Sequence, residues 1–175
     1  MKKGVKISLI VVPIVIVIIA GASFGGTLLY TANNVDYTIS ETIITDNITQ
    51  LLLGAFSGTV VTETPIQIAN NGLYSILDLF IAVTVLGQDF GLAALNGDVL
   101  GTGDNLVGTV LKGESWNGSL VISIEAINIP ALAIYDGKLV IKVDISLTLD
   151  FGIFKAAKAF TEYQTEDWDA PFNLT

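Results

Sequence analysis

Between Leu139 and Phe151 the side chains alternate without a break: Leu139, Ile141, Val143, Ile145, Leu147, Leu149 and Phe151 are separated by Val140, Lys142, Asp144, Ser146, Thr148 and Asp150. A period of two held this long predicts an antiparallel strand with one face buried and the other in water. Shorter rows repeat the theme. Val35, Tyr37, Ile39 and Ile43 share one side of 35–44, and Val60, Thr62, Thr64, Ile66 and Ile68 form a half-apolar row ending at the Asn70-Asn71-Gly72 turn. Leu120, Ile122 and Ile124 alternate with Ser123 and Glu125. Residues 77–86 are apolar on both faces, which predicts a central strand, while 92–100 and 107–111 read as shorter strands and 154–163 as the closing one. Pro65, which has no N–H to donate, marks an edge or a bulge. With breakers at Gly58, Gly72, Gly87, Gly97, Gly113, Gly118 and Gly137, the pattern predicts an all-β fold, an antiparallel β-sandwich of about seven to eight strands. Pro130 to Tyr135 reads as a single helical turn.

The N-terminal part follows a different pattern. After Lys2, Lys3 and Lys6 comes an uncharged apolar run from Ile7 to Tyr30, long enough as a helix, at roughly 36 Å, to cross a hydrocarbon core of about 30 Å. The expected organisation is a cytoplasmic stub at 1–6, a transmembrane helix or signal anchor at 7–30, and an extracellular β-domain with an acidic C-terminal tail at 31–175. Lysines on the N-terminal flank place that flank inside and the remainder outside, in a single-pass protein of the cell membrane. Two alternatives share this topology: a secretory signal cut at Ala20-Gly21-Ala22, or a prepilin-type cut after Gly4 that leaves a filament-core helix. Gly21 and Gly25, with Ala22 and Gly26, are spaced to let two such helices approach, an argument for homo-oligomers.

Composition removes most chemistry. Among 175 residues there is no cysteine, no histidine and no arginine, so thiolate sites, imidazole bases and fork-shaped phosphate clamps are all absent. Residues 31–175 hold five lysines and all seventeen acids, a net of −12, which argues against nucleic acid as a partner. An enzyme built from this chain would have to use paired carboxylates, and no pair stands out. The expectation is therefore a non-catalytic protein without a cofactor.

The order of these parts resembles the membrane-anchored late embryogenesis abundant type 2 family, also called the water-stress and hypersensitive-response domain. The residues that carry the resemblance are Ile66 to Ile76, with the turn Asn70-Asn71-Gly72 where the family has an Asn-Pro-Asn-like turn, then Leu79 to Gln88, and the Gly-led long strand Gly137 to Gly152. The likeness spans about residues 35 to 160, and the proline of the turn is missing here. It implies a β-sandwich with a stress-protective role, in contact with lipid or with another envelope protein, the membrane lipid itself being met through 7–30. The alternative is a secreted or pilin-like filament subunit.

Few residues qualify as sites. Asp98 and Asp104 flank a Gly-rich loop that also holds Asn96 and Asn105, hard oxygen donors suited to calcium, although not at the spacing of a twelve-residue calcium loop. Asn47 and Asn117 begin Asn-x-Ser/Thr sequons expected in turns and usable as glycosylation acceptors outside the cell; a third, at Asn173, lies close to the terminus. Phe80, Phe90, Phe151, Phe154 and Phe160 either fill the core or line a groove for lipid.

Overall fold

The computed structural model describes residues 34–52 and 54–173. They form eight strands: β1 (Val35–Ile39), β2 (Ile43–Leu52), β3 (Ala55–Asn70), β4 (Ile76–Gln88), β5 (Val99–Val110), β6 (Ser115–Ser123), β7 (Gly137–Asp150) and β8 (Lys155–Trp168). A four-residue helix, α1 (Ile129–Leu132), is the predicted helical turn. All strand pairs are antiparallel, in two four-stranded sheets. In the first, β1 and β2 lie end to end along one side of β3 and β6 along the other; the second has the order β5-β4-β7-β8. The all-β, two-sheet expectation holds. The transmembrane part of the expected fold does not: among the described residues no helix is long and apolar enough to cross a membrane. Residues 7–30, on which that expectation fell, lie outside the described residues.

The core follows from side-chain alternation. Leu139, Ile141, Val143, Ile145, Leu147 and Leu149 of β7 are all buried, and they face Val60, Ile66 and Ile68 of β3 and Leu120 and Ile122 of β6 in one cluster. The half-apolar row of β3 is wholly interior: Thr62 and Thr64 are as buried as Val60. Strand β4 keeps Ile76 and Leu79 both inside, three residues apart, because Asp78 takes a left-handed conformation (φ 50°) where the register with both neighbours shifts. A bulge of this kind resets the parity of a strand.

Several expected boundaries move. The row 35–44 is two strands, since the chain breaks at residues 40–42, opposite Pro65. Ser40 N–H donates to Pro65 O at 3.0 Å, and an antiparallel residue directs its N and C=O to the same neighbour. The imide nitrogen therefore faces the break, so Pro65 sits in a central strand without costing a ladder bond. Of the strand expected at 92–100 only Val99 and Leu100 are extended, as the start of β5; a 3-10 turn at Ala93–Leu95 precedes them. Strand β6 begins at Ser115 and ends at Ser123, and a second 3-10 turn occupies Ala126–Asn128.

The two sheets meet along both lateral edges. On one, the backbones come close: Glu125 N–H donates to Leu100 O at 2.8 Å, and a Cβ on Gly101 would lie 2.8 Å from Ser123 O. On the other, side chains bridge β8 to the β1–β2 edge. Tyr37 donates to Glu162 (2.5 Å), Thr42 donates to Gln164 Oε1 (2.9 Å), and Gln164 Nε2 donates to the carbonyls of Ile39 and Ser40. Tyr37 and Phe160 stack at 4.9 Å beside them.

Candidate functional site

Because β4 is apolar on both faces and only one is covered, the outer face of β5-β4-β7-β8 carries unpartnered surface. Leu77, Phe80, Ala82 and Leu86 point outward and are half-buried. Registers place them in rows: Leu106, Phe80, Ser146 and Ala159 stand side by side, followed by Asp104, Ala82, Asp144 and Thr161, then Thr102, Thr84, Lys142 and Tyr163. Leu106 is 68% exposed and Tyr163 61%. Next to Phe80 a shallow depression of about 410 Å³ is lined by Asp78, Ser146, Thr148, Ala157 and Ala159 among others. Small side chains leave this hollow, and the bulge at Asp78 stands at its β4 side.

The electrostatics of the face centre on Asp144. Lys142 Nζ lies 2.7 Å from Asp144 Oδ2 and Thr161 donates to Oδ1 at 2.6 Å. Lys142, and after it Thr161, holds the Asp144 carboxyl below the usual carboxylate range, while Asp144 in turn raises the ammonium of Lys142. A carboxylate kept ionised in this way serves recognition; a proton donor at neutral pH needs the opposite shift. On the lateral seam, the bond to Glu162 raises the Tyr37 phenol above its ordinary value, with burial a smaller cause.

The sequence-derived candidates fall apart in space. Asp98 precedes β5 and Asp104 lies within it, both exposed. Six steps of extended chain put them about 20 Å apart. Asp104 instead shares a row with Asp144, one strand removed on either side of Ala82. Among the described residues no three acids gather in a group able to hold a metal ion. Asn47 and Asn117 are exposed, but both are in strands, opposite Thr59 and Gln67, and not in turns. Of the expected acidic C-terminal tail, Glu162, Glu166 and Asp167 are residues of β8. The phenylalanines line no common groove: Phe90 and Phe151 are buried, Phe151 stacks with Tyr74 and Phe154, Phe160 joins the seam and Phe80 faces outward.

One residue has a role that the sequence did not signal. Asn70 is fully buried at the end of β3; its Nδ2 donates to the carbonyls of Tyr74 and Val110, and its Oδ1 accepts from Gly72 N–H. Its backbone exchanges bonds with Glu114 and Gly113, and Asn71 N–H donates to Asn34 O. Asp150 N–H donates to Ser75 O. Three turns, 71–75, 111–114 and 151–154, are thus gathered at the pole where the described chain begins. The asparagine was legible as a turn residue, but its role as a hub follows only from the topology.

No protein-family profile matches the chain, and no curated protein matches it. Among solved structures the chain is similar to an X-ray structure of a Northeast Structural Genomics Consortium target, at 12% identity and a TM-score of 0.43, over 74% of this chain and 86% of that one. A protein from Archaeoglobus fulgidus aligns at 12% identity and 0.38, over 74% and 97%. A solution structure provisionally named a late embryogenesis abundant protein aligns at 12% and 0.42, over 94% and 91%. A late embryogenesis abundant protein is thus one structural neighbour of this chain, and at these scores the likenesses assign no function.

Proposed function

We propose that the chain is a non-catalytic surface module whose β-domain braces or binds another component of the cell envelope, using the outer face of β5-β4-β7-β8. The observation that carries this reading is the outward apolar row of β4, with Phe80 beside Leu106 and an open hollow of small side chains. Exposed apolar surface rimmed by charge is what a binding face requires. The polar side chains near it support the same view, since Asp144 is committed to Lys142 and Thr161. The resemblance of residues 35–160 to the late embryogenesis abundant pattern gives the role its direction, protection under stress through contact with lipid or protein.

Native mass spectrometry of the full chain, purified from its source and compared with Phe80→Asp, tests the reading. A component retained by the wild type and lost at least tenfold in the variant is the expected result. A component held equally well by Phe80→Asp would contradict it.

A further inference from the structure

We infer that the pole gathered by Asn70 rests on a lipid surface, its turn tips entering the interface. Four large apolar side chains crown this pole: Leu73, 41% exposed, Leu111, 52%, Phe154, 39%, and Ile153, 81%. They come from three separate turns, held in one place by the bonds of Asn70 and by ring contacts of Phe151, edge-on with Tyr74 and tilted against Phe154, at 5.0 and 4.9 Å between centroids. Short apolar tips projecting from a stiff sheet end suit shallow insertion among headgroups.

Charge separates this pole from the other. The turns 71–75, 111–114 and 151–154 contain Lys112 and Glu114, a net of 0, with Lys155 of β8 beside them and Asp36 and Asp150 bonded to Asn71 and Gly152. The turns at the opposite pole, 89–98, 124–136 and 169–173, contain Asp89, Asp98, Glu125, Asp136 and Asp169 and no lysine, a net of −5. An anionic surface repels the first less than the second and meets Lys112 and Lys155 there, although the opposite pole also exposes Leu51, Leu52 and Ile127, 66%, 74% and 81% exposed. The chain outside the described residues argues for the same occupant. Asn34, the first described residue, is bonded to Asn71 at this pole, and the sequence that precedes it carries the uncharged apolar run from Ile7 to Tyr30. The inference deepens the surface-module reading by naming lipid as the partner of one pole. The outer sheet face can fail its own test without affecting it.

The absence of cysteine makes the test direct. Ile153→Cys and Ile127→Cys, each in the full chain, are labelled with an environment-sensitive nitrobenzoxadiazole and mixed with phosphatidylcholine vesicles containing phosphatidylglycerol. The label at 153 is expected to brighten, shift to the blue and be quenched by lipid-borne nitroxide, while the label at 127 keeps its emission in water. Lys112→Glu with Lys155→Glu weakens the response at 153 by about fivefold or more for each lysine. A label at 153 that stays in water while the chain sediments with vesicles overturns the inference, as does a response at 127 instead. A response at 153 that needs no vesicles and grows with protein concentration also overturns it, in favour of a second copy of the chain.

Discussion

Thr62 and Thr64 stand two residues apart on the same buried face of β3, yet only one is satisfied. Thr64 Oγ1 and Thr42 Oγ1 are 3.0 Å apart, whereas Thr62 Oγ1 is buried with no hydrogen-bond partner. An unpaired buried hydroxyl costs free energy that an isosteric methyl does not. Thr62→Val is therefore expected to raise stability by about 1 kcal/mol and Thr64→Val to lower it by about the same, read as opposite shifts of the urea midpoint. Equal shifts of one sign would contradict the assignment. Asp144 supplies a second test at this scale. Its folded pKa is depressed by Lys142 and Thr161, so its contribution is present above the ordinary value of about 4 and is lost as pH falls through the lower folded value. Asp144→Asn is expected to be slightly less stable than wild type at pH 7, with the difference closing below about pH 4; the two side chains are 33% and 38% exposed, enough for solvent to screen the pair and keep the effect small. The raised Tyr37 phenol acts the other way. Its contribution is present below about pH 10 and is lost as pH rises through its higher folded value, and Tyr37→Phe, followed by thermal melts from pH 7 to 11, should lose its deficit at the alkaline end.

At the scale of elements, Gly58 shows how tightly β2 and β3 are joined. It takes φ +140°, and a Cβ there would lie 1.9 Å from Asn47 O. Gly58→Ala is expected to cost about 2 kcal/mol or more, from strain and backbone displacement together, and a melt unchanged from wild type would show that the strand pair relaxes freely. Much of this level was legible in the sequence. The alternation of β7 identified its core face residue by residue, and Pro130 announced the helical turn. What could not be read depended on neighbours in space: Asp78 shifts the parity of β4 through one left-handed residue, and the break between β1 and β2 exists because Pro65 stands opposite. The apolar residues of 92–100 suggested a strand, but Phe90 and Leu95 are buried from a loop, where Asn96 accepts from Phe90 N–H at 2.7 Å and donates to Phe90 O at 3.0 Å.

For the whole molecule, the sequence separated a lysine-headed apolar run from an acidic β-domain, but it could not show that the acids are unevenly placed. Asp98 and Asp104 look adjacent in a list of residues and are far apart along an extended strand. Lys112, Lys155 and the apolar tips look scattered and are collected by the ends of β3, β5 and β7. The domain therefore has a direction: one pole sets apolar tips beside Lys112 and Lys155, the turns of the other carry five acids and no lysine, and the outer face of β5-β4-β7-β8 lies between them. Hydrogen–deuterium exchange of the full chain, bound to anionic vesicles and free, tests that direction most directly. The account predicts added protection in residues 71–75, 111–114 and 151–155, with 89–98 and 124–136 exchanging as before; protection confined to 89–98 and 124–136, or no change at the first three turns in chains that sediment with the vesicles, would contradict it.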